Sequence, residues 1–308
     1  MESELTSLDL VDDYAIKVRQ DWYNRVYIAY QICNFSKNKE MSFLNSGYDR
    51  KGNIRYLNCG MIDFFFKYLK NFNFFTPKKN YNVYCSLATI DWANSSIKSF
   101  KFSGEERKEQ TEEFNLQKDV FIDFSGFIDF DGDQDGENKL DISQEEAVSR
   151  ALKDLKIVLD LFKKYKLTYW IQFSGKRGFH LFFQMPVEVS YGKKVSLANL
   201  IVKELSDILN LSTIDRLSYG RRKIAKTPYG LTTHNFKTHV VLPLDDEFIN
   251  SFDLSKLRVE YVIKKMSLKN RGLLMRNENL SSSEKSSNFK AFLKDFDINI
   301  KDLQEIEE

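Results

Sequence analysis

The sequence predicts an α+β fold in which a mixed or antiparallel sheet is flanked by helices. Short apolar segments with strand-like alternation, an amphipathic helix after Ser143, and polar Gly-containing turns between these segments predict this class. A chain of 308 residues with a hydrophobic fraction of 42% can bury a sizeable core. No apolar run is long enough for a membrane helix, and the first residues, MESELTSLDLVDD, are acidic where a signal peptide would be basic. We therefore expect a soluble, intracellular protein.

Three regions are predicted along the chain. Residues 1–78 form a mainly helical N-terminal region, because apolar residues recur at helical spacing around positions 22–32 and 61–69. The run Pro77-Lys78-Lys79-Asn80 marks a break, and residues 79–255 form the core that carries the recognisable motifs. Residues 256–308 form a mainly helical tail.

The elements of the core follow in order. Residues 81–92 predict a strand, and the repeat FIDF-SG-FIDF at 121–130 predicts two strands paired through a tight turn at Ser125-Gly126. A capping box at Ser143 to Glu146 begins a helix that extends to Lys164. Strands enter and leave the turn SGKRG at 174–178, a second helix covers 195–209, and a short strand covers 239–242.

Charge is distributed unevenly although its sum is small. The net charge is +2, from 46 basic and 44 acidic residues, so the overall charge makes no case for a polyanionic partner. Residues 161–185 and 216–240 contain basic residues and no acid, whereas acids crowd between Asp123 and Glu146. A focused acidic patch together with two basic segments is what a metal-dependent enzyme acting on phosphates requires, although solvated faces give similar patterns.

The acids Asp129 and Asp131 lie two residues apart on a predicted strand, so both carboxylates leave the same face. Two close carboxylates repel each other and are tolerated when hard cations such as Mg²⁺ or Mn²⁺ neutralise them, as in two-metal phosphoryl transfer. An isolated D-x-D is also typical of a solvated acidic turn.

Two other interpretations compete for these acids. DGDQDGENKLDI begins like a calcium loop, but Asn138 replaces the apolar eighth residue and Ile142 replaces the bidentate glutamate. FIDFDGD resembles the nucleophile motif of haloacid-dehalogenase-type phosphatases, but Asp133 stands where that motif has Thr or Ser. A calcium hand is disfavoured, and phosphate-ester hydrolysis at Asp129 stays an alternative.

The segment SGKRGFH, residues 174–180, is the second candidate site. It places Ser174, Lys176, Arg177 and His180 within one strand-to-strand turn, where they can grip a triphosphate. An ordinary basic hairpin is the alternative. One helix and one strand separate this turn from Asp129, so the two segments can meet across a sheet.

Together FIDFD, SGKRGFH and the segment IDRLSYGRRKIAKTPYGLTTHNFKTHVVLPLD resemble the three ordered motifs of the archaeal-eukaryotic primase superfamily, in particular the small catalytic subunit of DNA primases and primase-polymerases. The resemblance covers residues 120 to about 245. It implies a primase-polymerase (prim-pol) catalytic core and a template-dependent nucleotidyltransferase that synthesises short primers on single-stranded DNA from nucleoside triphosphates.

The resemblance also implies roles for individual residues. Asp129, Asp131 and Asp215 would be catalytic ligands of two Mg²⁺ or Mn²⁺ ions. The residues that would bind the nucleotide are Ser174, Lys176, Arg177, His180, Lys226 and His234. Gly230 stands where the family has serine, and Asp123 is a second candidate ligand because the FIDF repeat leaves the register open. A large-subunit partner is a further family expectation. The template would lie over basic and aromatic side chains, and we expect these to include Trp170, Tyr219, Arg221 and Arg222.

Departures from the family pattern leave alternatives open. The family's zinc knuckle is not found between the first two motifs, and Cys33, Cys59 and Cys85 lack zinc spacing, so no zinc is predicted. The motifs also fit a primase-polymerase of a mobile element or an end-joining, gap-filling polymerase. A nucleic-acid-binding subunit with a decayed site is the alternative outside enzymes. The C-terminal tail is rich in Ser and Lys and ends in acids.

Overall fold

The computed structural model describes residues 17–45, 54–56, 81–97, 105–136, 138–216, 219–234, 237–268 and 272–304. The predicted helix at 61–69 and Cys59 lie outside these residues. Within the described ranges, no helix combines the length and the apolar character that crossing a membrane requires.

Within the described ranges, the strands form two four-stranded sheets and three two-stranded ones, and neighbouring strands are antiparallel. The strands are β1 (Met41–Asn45), β2 (Ile54–Tyr56), β3 (Tyr81–Ser86), β4 (Ala88–Ile90), β5 (Phe121–Phe124), β6 (Gly126–Asp131), β7 (Gln134–Asp135), β8 (Asn138–Lys139), β9 (Tyr169–Phe173), β10 (Gly178–Phe183), β11 (Ile224–Lys226), β12 (Leu231–His234), β13 (Lys237–Val240) and β14 (Pro243–Leu244). The first large sheet has the order β11-β3-β1-β2, and the second has the order β14-β9-β10-β6.

Helices flank these sheets. They are α1 (Val26–Phe35), α2 (Glu105–Leu116), α3 (Gln144–Lys164), α4 (Tyr191–Ile208), α5 (Asp246–Asn250), α6 (Val259–Lys265) and α7 (Ser282–Asp295), with 3₁₀ turns at Lys118–Val120, Leu254–Leu257 and Ile300–Asp302. Residues 17–23 are also helical. Helices α6 and α7 lie within residues 256–308, the region predicted to be a helical tail.

Helix α3 forms where the sequence predicts it. The Ser143 side chain accepts a hydrogen bond from the backbone N–H of Glu146 at 3.1 Å, which caps one of the unpaired donors of the first turn. Ala151, Leu155 and Phe162 are fully buried at helical spacing, and α3 packs on β6 and β10. One face of the second sheet is thereby covered.

The other face of the second sheet carries the functional candidates. In β10, Phe179 and Leu181 alternate with His180 and Phe182, and all four side chains are buried. Phe182 stacks on Trp170 of β9, with ring centroids 4.1 Å apart. Because both faces of this sheet are covered, its strands are apolar on both sides except where polar residues enter the site.

The hairpin predicted for FIDF-SG-FIDF is wrong. Strand β5 pairs with β4, whereas β6, only two residues later, pairs with β10 in the second large sheet. Gly126 instead allows close packing, because a Cβ atom at this position would lie 2.2 Å from the Phe183 ring. The chain therefore passes from one sheet to another at Ser125.

The N-terminal region contains strands as well as helix. Helix α1 is present as expected, but β1 and β2 lie in the region predicted to be mainly helical. Strand β1 pairs with β3, so hydrogen bonding crosses the boundary placed near residue 78. The division into three regions stays a prediction, and the strand pairing links its first two parts.

Candidate active site

Strands β6 and β10 bring the two central motifs together. Asp129 lies opposite His180, and Asp131 lies opposite Gly178 at the exit of the SGKRG turn. Gly178 is required there, because a Cβ atom would lie 1.6 Å from the Phe130 carbonyl oxygen. Gly175 has φ +85°, a backbone conformation that favours glycine. The glycines thus let the turn fold back against β6.

The third predicted carboxylate arrives on the other edge of β6. The Asp131 N–H donates to the Thr213 carbonyl at 2.7 Å, and the Asp215 N–H donates to the Asp129 carbonyl at 2.9 Å, with Phe130 bridging to Ile214. In this antiparallel register Asp215 lies opposite Asp129, and opposite residues share a face of the sheet. Asp129, Asp131 and Asp215 therefore lie on one face, which we call the carboxylate face.

Burial and the neighbouring negative charges disfavour the ionised form of the carboxyl groups on this face. Burial raises the pKa of Asp129 to about 7, and the charges of Asp131 and Asp215 add to this effect, whereas Lys223 and Lys226 oppose it. Burial also raises the pKa of Asp131 to about 6, together with its hydrogen bond to Asp133. A cation bound here would relieve both effects.

The carboxylate face has the donor chemistry of a metal site. Oxygen donors with raised pKa values fit a hard divalent cation such as Mg²⁺ or Mn²⁺ in chemistry and charge. Within the described part of the chain, however, no three His, Cys, Asp or Glu side chains are grouped closely enough to hold a metal ion. The structure brings the three acids to one face without closing them into a cluster, so the two-metal site stays a prediction.

The SGKRG turn is held from two sides. The Lys226 ammonium donates to the Ser174 carbonyl at 2.7 Å, and the Gln144 amide, at the start of α3, donates to the Lys176 carbonyl at 2.7 Å. Lys176 itself is exposed. Three of the predicted nucleotide-binding residues thus meet at the turn, with the Lys176 side chain directed to solvent.

Arg177 is engaged by an acid rather than facing solvent. Its guanidinium pairs with the carboxylate of Asp133, which is 3% exposed. Burial opposes ionisation of Asp133, but hydrogen bonds from Asp131 and Arg177 and the charge of Lys139 lower its pKa. A phosphate would therefore have to compete with Asp133 for Arg177.

His180 lies between the acids and the cations. Its Nε2 atom is 3.6 Å from Asp129 Oδ1, and its side chain is 6% exposed. Burial and the charges of Lys226 and Lys223 hold the pKa of His180 well below its usual range, so the imidazole is neutral. It can therefore offer one N–H to an anion.

Strand β11 of the first sheet supplies cations to the same site. Lys226 pairs in register with Tyr84 of β3, and burial lowers the pKa of Lys226 to about 8 although Asp129 and Asp131 raise it. Burial and the charge of Asp129 raise the pKa of Tyr84 to about 12. The site therefore lies where the two large sheets meet.

Sequence reasoning missed three of these groups. Lys223 lowers the pKa of Asp129, and the charge of Asp129 raises the pKa of Tyr84. Gln172 forms a hydrogen bond with His180. Lys223 belongs to a basic run that signalled a phosphate partner, but Tyr84 and Gln172 look like ordinary strand residues. Only the pairing of β3 with β11 and of β9 with β10 brings them in.

Of the other predicted site residues, Asp123 lies apart from this cluster, and the side chain of His234 lies outside the described part of the structure. Asp123 is on β5, where Lys194 donates to it at 2.6 Å, so it does not join the carboxylate face. His234 is the last residue of β12, opposite Lys237, and its side chain is not among the described atoms. Its role stays a prediction.

Four residues that we expected to contact a template are placed elsewhere. Trp170, Tyr219 and Arg221 are buried, at 5%, 1% and 6% exposure. Arg222 forms a bidentate pair with Glu40, with N···O distances of 2.9 and 2.7 Å, and Glu40 is fully buried. These side chains stabilise the fold, and the template expectation is wrong for them.

The calcium-hand interpretation is contradicted by the local fold. A strand, β6, precedes the acidic segment, and β7 and β8 form a hairpin within it, whereas a calcium hand places its loop between two helices.

Scans of the sequence against protein-family models and against curated proteins find no match. Among solved structures, the chain is similar to the polymerase domain from Mycobacterium tuberculosis ligase D in complex with DNA. The TM-score is 0.52 and the sequence identity 11%, over 82% of this chain and 90% of that chain. At this identity the similarity concerns the fold. It confirms the predicted fold class, α+β with antiparallel sheets and flanking helices, and this fold is similar to that of the ligase D polymerase domain.

Proposed function

We propose that the chain is a template-dependent nucleotidyltransferase that synthesises short primers on single-stranded DNA, as a DNA primase catalytic subunit does. The observation that carries this proposal is the placement of Asp129, Asp131 and Asp215 on one face, directly beside His180 and Lys226. Acids that attract metal and cations that attract phosphate are the two parts that nucleotidyl transfer requires.

The acids of the carboxylate face would hold the Mg²⁺ or Mn²⁺ ions. When bound, such ions lower the pKa of an attacking hydroxyl and neutralise charge on the triphosphate. The neutral imidazole of His180 would donate through Nε2, and the Lys226 ammonium would pair with a phosphate oxygen. Lys176, Ser174 and Arg177 would complete the grip at the turn, with Arg177 exchanging Asp133 for phosphate.

The reaction in this proposal is an in-line attack. A 3′-hydroxyl attacks the α-phosphorus of the incoming nucleotide, a new phosphodiester bond forms, and the bond to the β-phosphate breaks with release of pyrophosphate. The protein contributes mainly positioning and electrostatic stabilisation.

A second candidate is a primer-extending or gap-filling polymerase, either of an end-joining ligase or of a mobile element. It is favoured by the fold similarity to a ligase D polymerase domain, whose structure is in complex with DNA. A large-subunit partner would accompany the primase and not the gap-filling enzyme.

One assay separates these functions. The protein is incubated with single-stranded DNA, Mn²⁺ or Mg²⁺, and ribo- or deoxynucleotides, with and without a primer, and pyrophosphate is measured. We expect products whose sequence follows the template and one pyrophosphate per nucleotide added. Products without a primer support a primase, and products only with a primer support the second candidate. Phosphate release without a template would contradict both and favour hydrolysis at Asp129.

A further inference from the structure

Gln172 is a fully buried polar residue at the centre of the second sheet. It lies on β9, opposite His180 of β10 and opposite Pro243 of β14. Every residue of β9 is buried, and its neighbours Ile171 and Phe173 are apolar. A polar amide in this environment requires a structural or functional reason.

The amide of Gln172 makes two contacts through the same atom. Its Nε2 lies 2.8 Å from His180 Nδ1 and 2.9 Å from the Lys226 carbonyl oxygen. A carbonyl oxygen only accepts, so the group facing it must be the NH₂ and not the amide oxygen. Both hydrogens of the amide are then used, one on each partner.

This arrangement sets the state of the imidazole. Because Nδ1 of His180 accepts from Gln172, the imidazole proton is on Nε2. Nε2 is the atom 3.6 Å from Asp129 Oδ1, on the side of the carboxylate face. The N–H of His180 therefore points into the candidate site.

The same amide also fixes a cation from the other sheet. Lys226 accepts from Gln172 through its backbone carbonyl and donates from its ammonium to the Ser174 carbonyl at 2.7 Å. One buried side chain thus connects β9, β10 and β11 at the point where the two large sheets meet. Its own Oε1 has no hydrogen-bond partner among the described residues, so the fold tolerates a cost to keep the two N–H donations.

We propose that Gln172 is a positioning residue that holds His180 in the Nε2–H tautomer and fixes Lys226 beside it, so that both donors face the triphosphate of an incoming nucleotide. The triphosphate part of this inference rests on the proposed function. The tautomer part rests on the hydrogen bonds alone.

The test compares two variants. Gln172→Met keeps the length of the side chain and removes both N–H donors. Gln172→Glu retains one hydrogen-bond donor when its carboxyl group is protonated. Thr168→Val is the matched control: Thr168 is 5% exposed near the same strand and bonds to the Asn277 carbonyl at 3.2 Å, away from His180. Circular dichroism and thermal unfolding confirm that each variant is folded.

The first readout is nuclear magnetic resonance of ¹⁵N-histidine-labelled protein, which distinguishes a protonated from an unprotonated ring nitrogen. The chain has only three histidines, so His180 is assigned by comparison with variants of His234 and His239. We expect the Nε2–H tautomer in the wild type and in Thr168→Val, and a mixture of tautomers in Gln172→Met. An unchanged tautomer in Gln172→Met would overturn the inference, whatever the activity of the protein.

The second readout is nucleotide addition. We expect the KM for the incoming nucleotide to rise about 10- to 100-fold in Gln172→Met, as is usual for groups that orient a functional histidine, with a smaller change in kcat. Gln172→Glu should recover part of the loss. If Gln172→Met alters the tautomer of His180 but leaves the KM unchanged, Gln172 has no role in nucleotide binding. A wild type without template-dependent product would refute the proposed function while the resonance result still decides the tautomer.

Discussion

The sheet that contains β6 and β10 and the sheet that contains β3 and β11 differ in the charge that they bring to the site. The sheet with β6 and β10 contributes Asp129 and Asp131. The sheet with β3 and β11 contributes Lys226, and Lys223 lies close by. In the turn between β9 and β10, Lys176 and Arg177 add cations at the edge of the acidic sheet. The acids of the carboxylate face and Lys226 nevertheless reach the site from different sheets, so the site depends on how the two sheets meet.

The largest expected effect is on the acidic side. Asp129→Ala and Asp131→Ala should each lower the rate of nucleotide addition by about 10²- to 10³-fold or more, because each removes charge that a bound cation requires. Product formation on a primed template measures this.

Asp123→Asn is the matched control for those variants. It changes the same position of the other FIDF copy, which lies on β5 and pairs with Lys194. We expect nearly wild-type activity from it. Equal losses in Asp123→Asn and Asp129→Ala would contradict the assignment of β6 to the site.

The next effect concerns Arg222, a basic residue that lies outside the site. Arg222→Gln should reduce the free energy of unfolding by about 3–5 kcal/mol, because it leaves the buried Glu40 carboxylate without its bidentate partner. Denaturant unfolding measures this loss. In the fraction that stays folded at low temperature, affinity for single-stranded DNA should be nearly unchanged. A stable Arg222→Gln protein with a selective loss of DNA binding would show that our placement of Arg222 is incorrect.

A smaller effect is expected on the basic side of the site. Lys226→Met should raise the KM for nucleotide about 10- to 100-fold, since it removes a half-buried cation beside the turn. Because burial lowers the pKa of Lys226 to about 8, the ammonium loses its proton as pH rises through that value, and the wild-type KM should rise with it.

Two variants sharpen this result. Lys226→Arg keeps its charge at high pH, so its KM should change less between neutral and alkaline pH than that of the wild type. Lys194→Met removes a buried lysine whose side chain is 6% exposed and which lies outside the site. It should leave the KM for nucleotide unchanged. A KM that rises equally in Lys194→Met and Lys226→Met would indicate a general loss of structure.

The smallest effect is a gain in stability. Asp129→Asn should raise the free energy of unfolding of the metal-free protein by about 1–3 kcal/mol near pH 8, because burial and the charges of Asp131 and Asp215 disfavour the ionised carboxylate. The sign follows from a folded-state pKa near 7, above the unfolded value. The carboxyl group is stabilising at low pH, and that contribution is lost as pH rises through about 7.

Thermal unfolding at pH 5 and pH 8 checks this prediction. The difference between Asp129→Asn and the wild type should be larger at pH 8, and Mn²⁺ should stabilise the wild type more than the variant. A variant less stable than the wild type at pH 8 without metal would show that the acids do not repel one another.

The two sheets also differ in how far the sequence predicts them. Helix α3 with its Ser143 cap, and strands β9 and β10 around the SGKRG turn, follow from local periodicity and turn residues. The hairpin at Ser125-Gly126 was predicted from the same kind of signal and is wrong, because a repeat of strand residues does not indicate which partner each strand will have.

The site shows the same limit. Asp129, Asp131 and the turn were found because their residue types and order are distinctive. The sequence did not identify Gln172 as a site residue, because a polar residue that alternates with apolar ones predicts a solvent-facing position. In the structure both faces of β9 are covered. Tyr84 and Lys223 enter only through the pairing of β3 with β11, which joins segments far apart in the sequence.

A crystal structure of the protein with Mn²⁺ and a non-hydrolysable nucleoside triphosphate tests the proposed two-metal site most directly, because anomalous scattering locates the manganese. We expect manganese at about 2.1 Å from carboxylate oxygens of Asp129 and Asp131, with the triphosphate against His180, Lys226 and the 174–178 turn. Manganese bound elsewhere, or a triphosphate away from this turn, would exclude this site as the place of nucleotide addition.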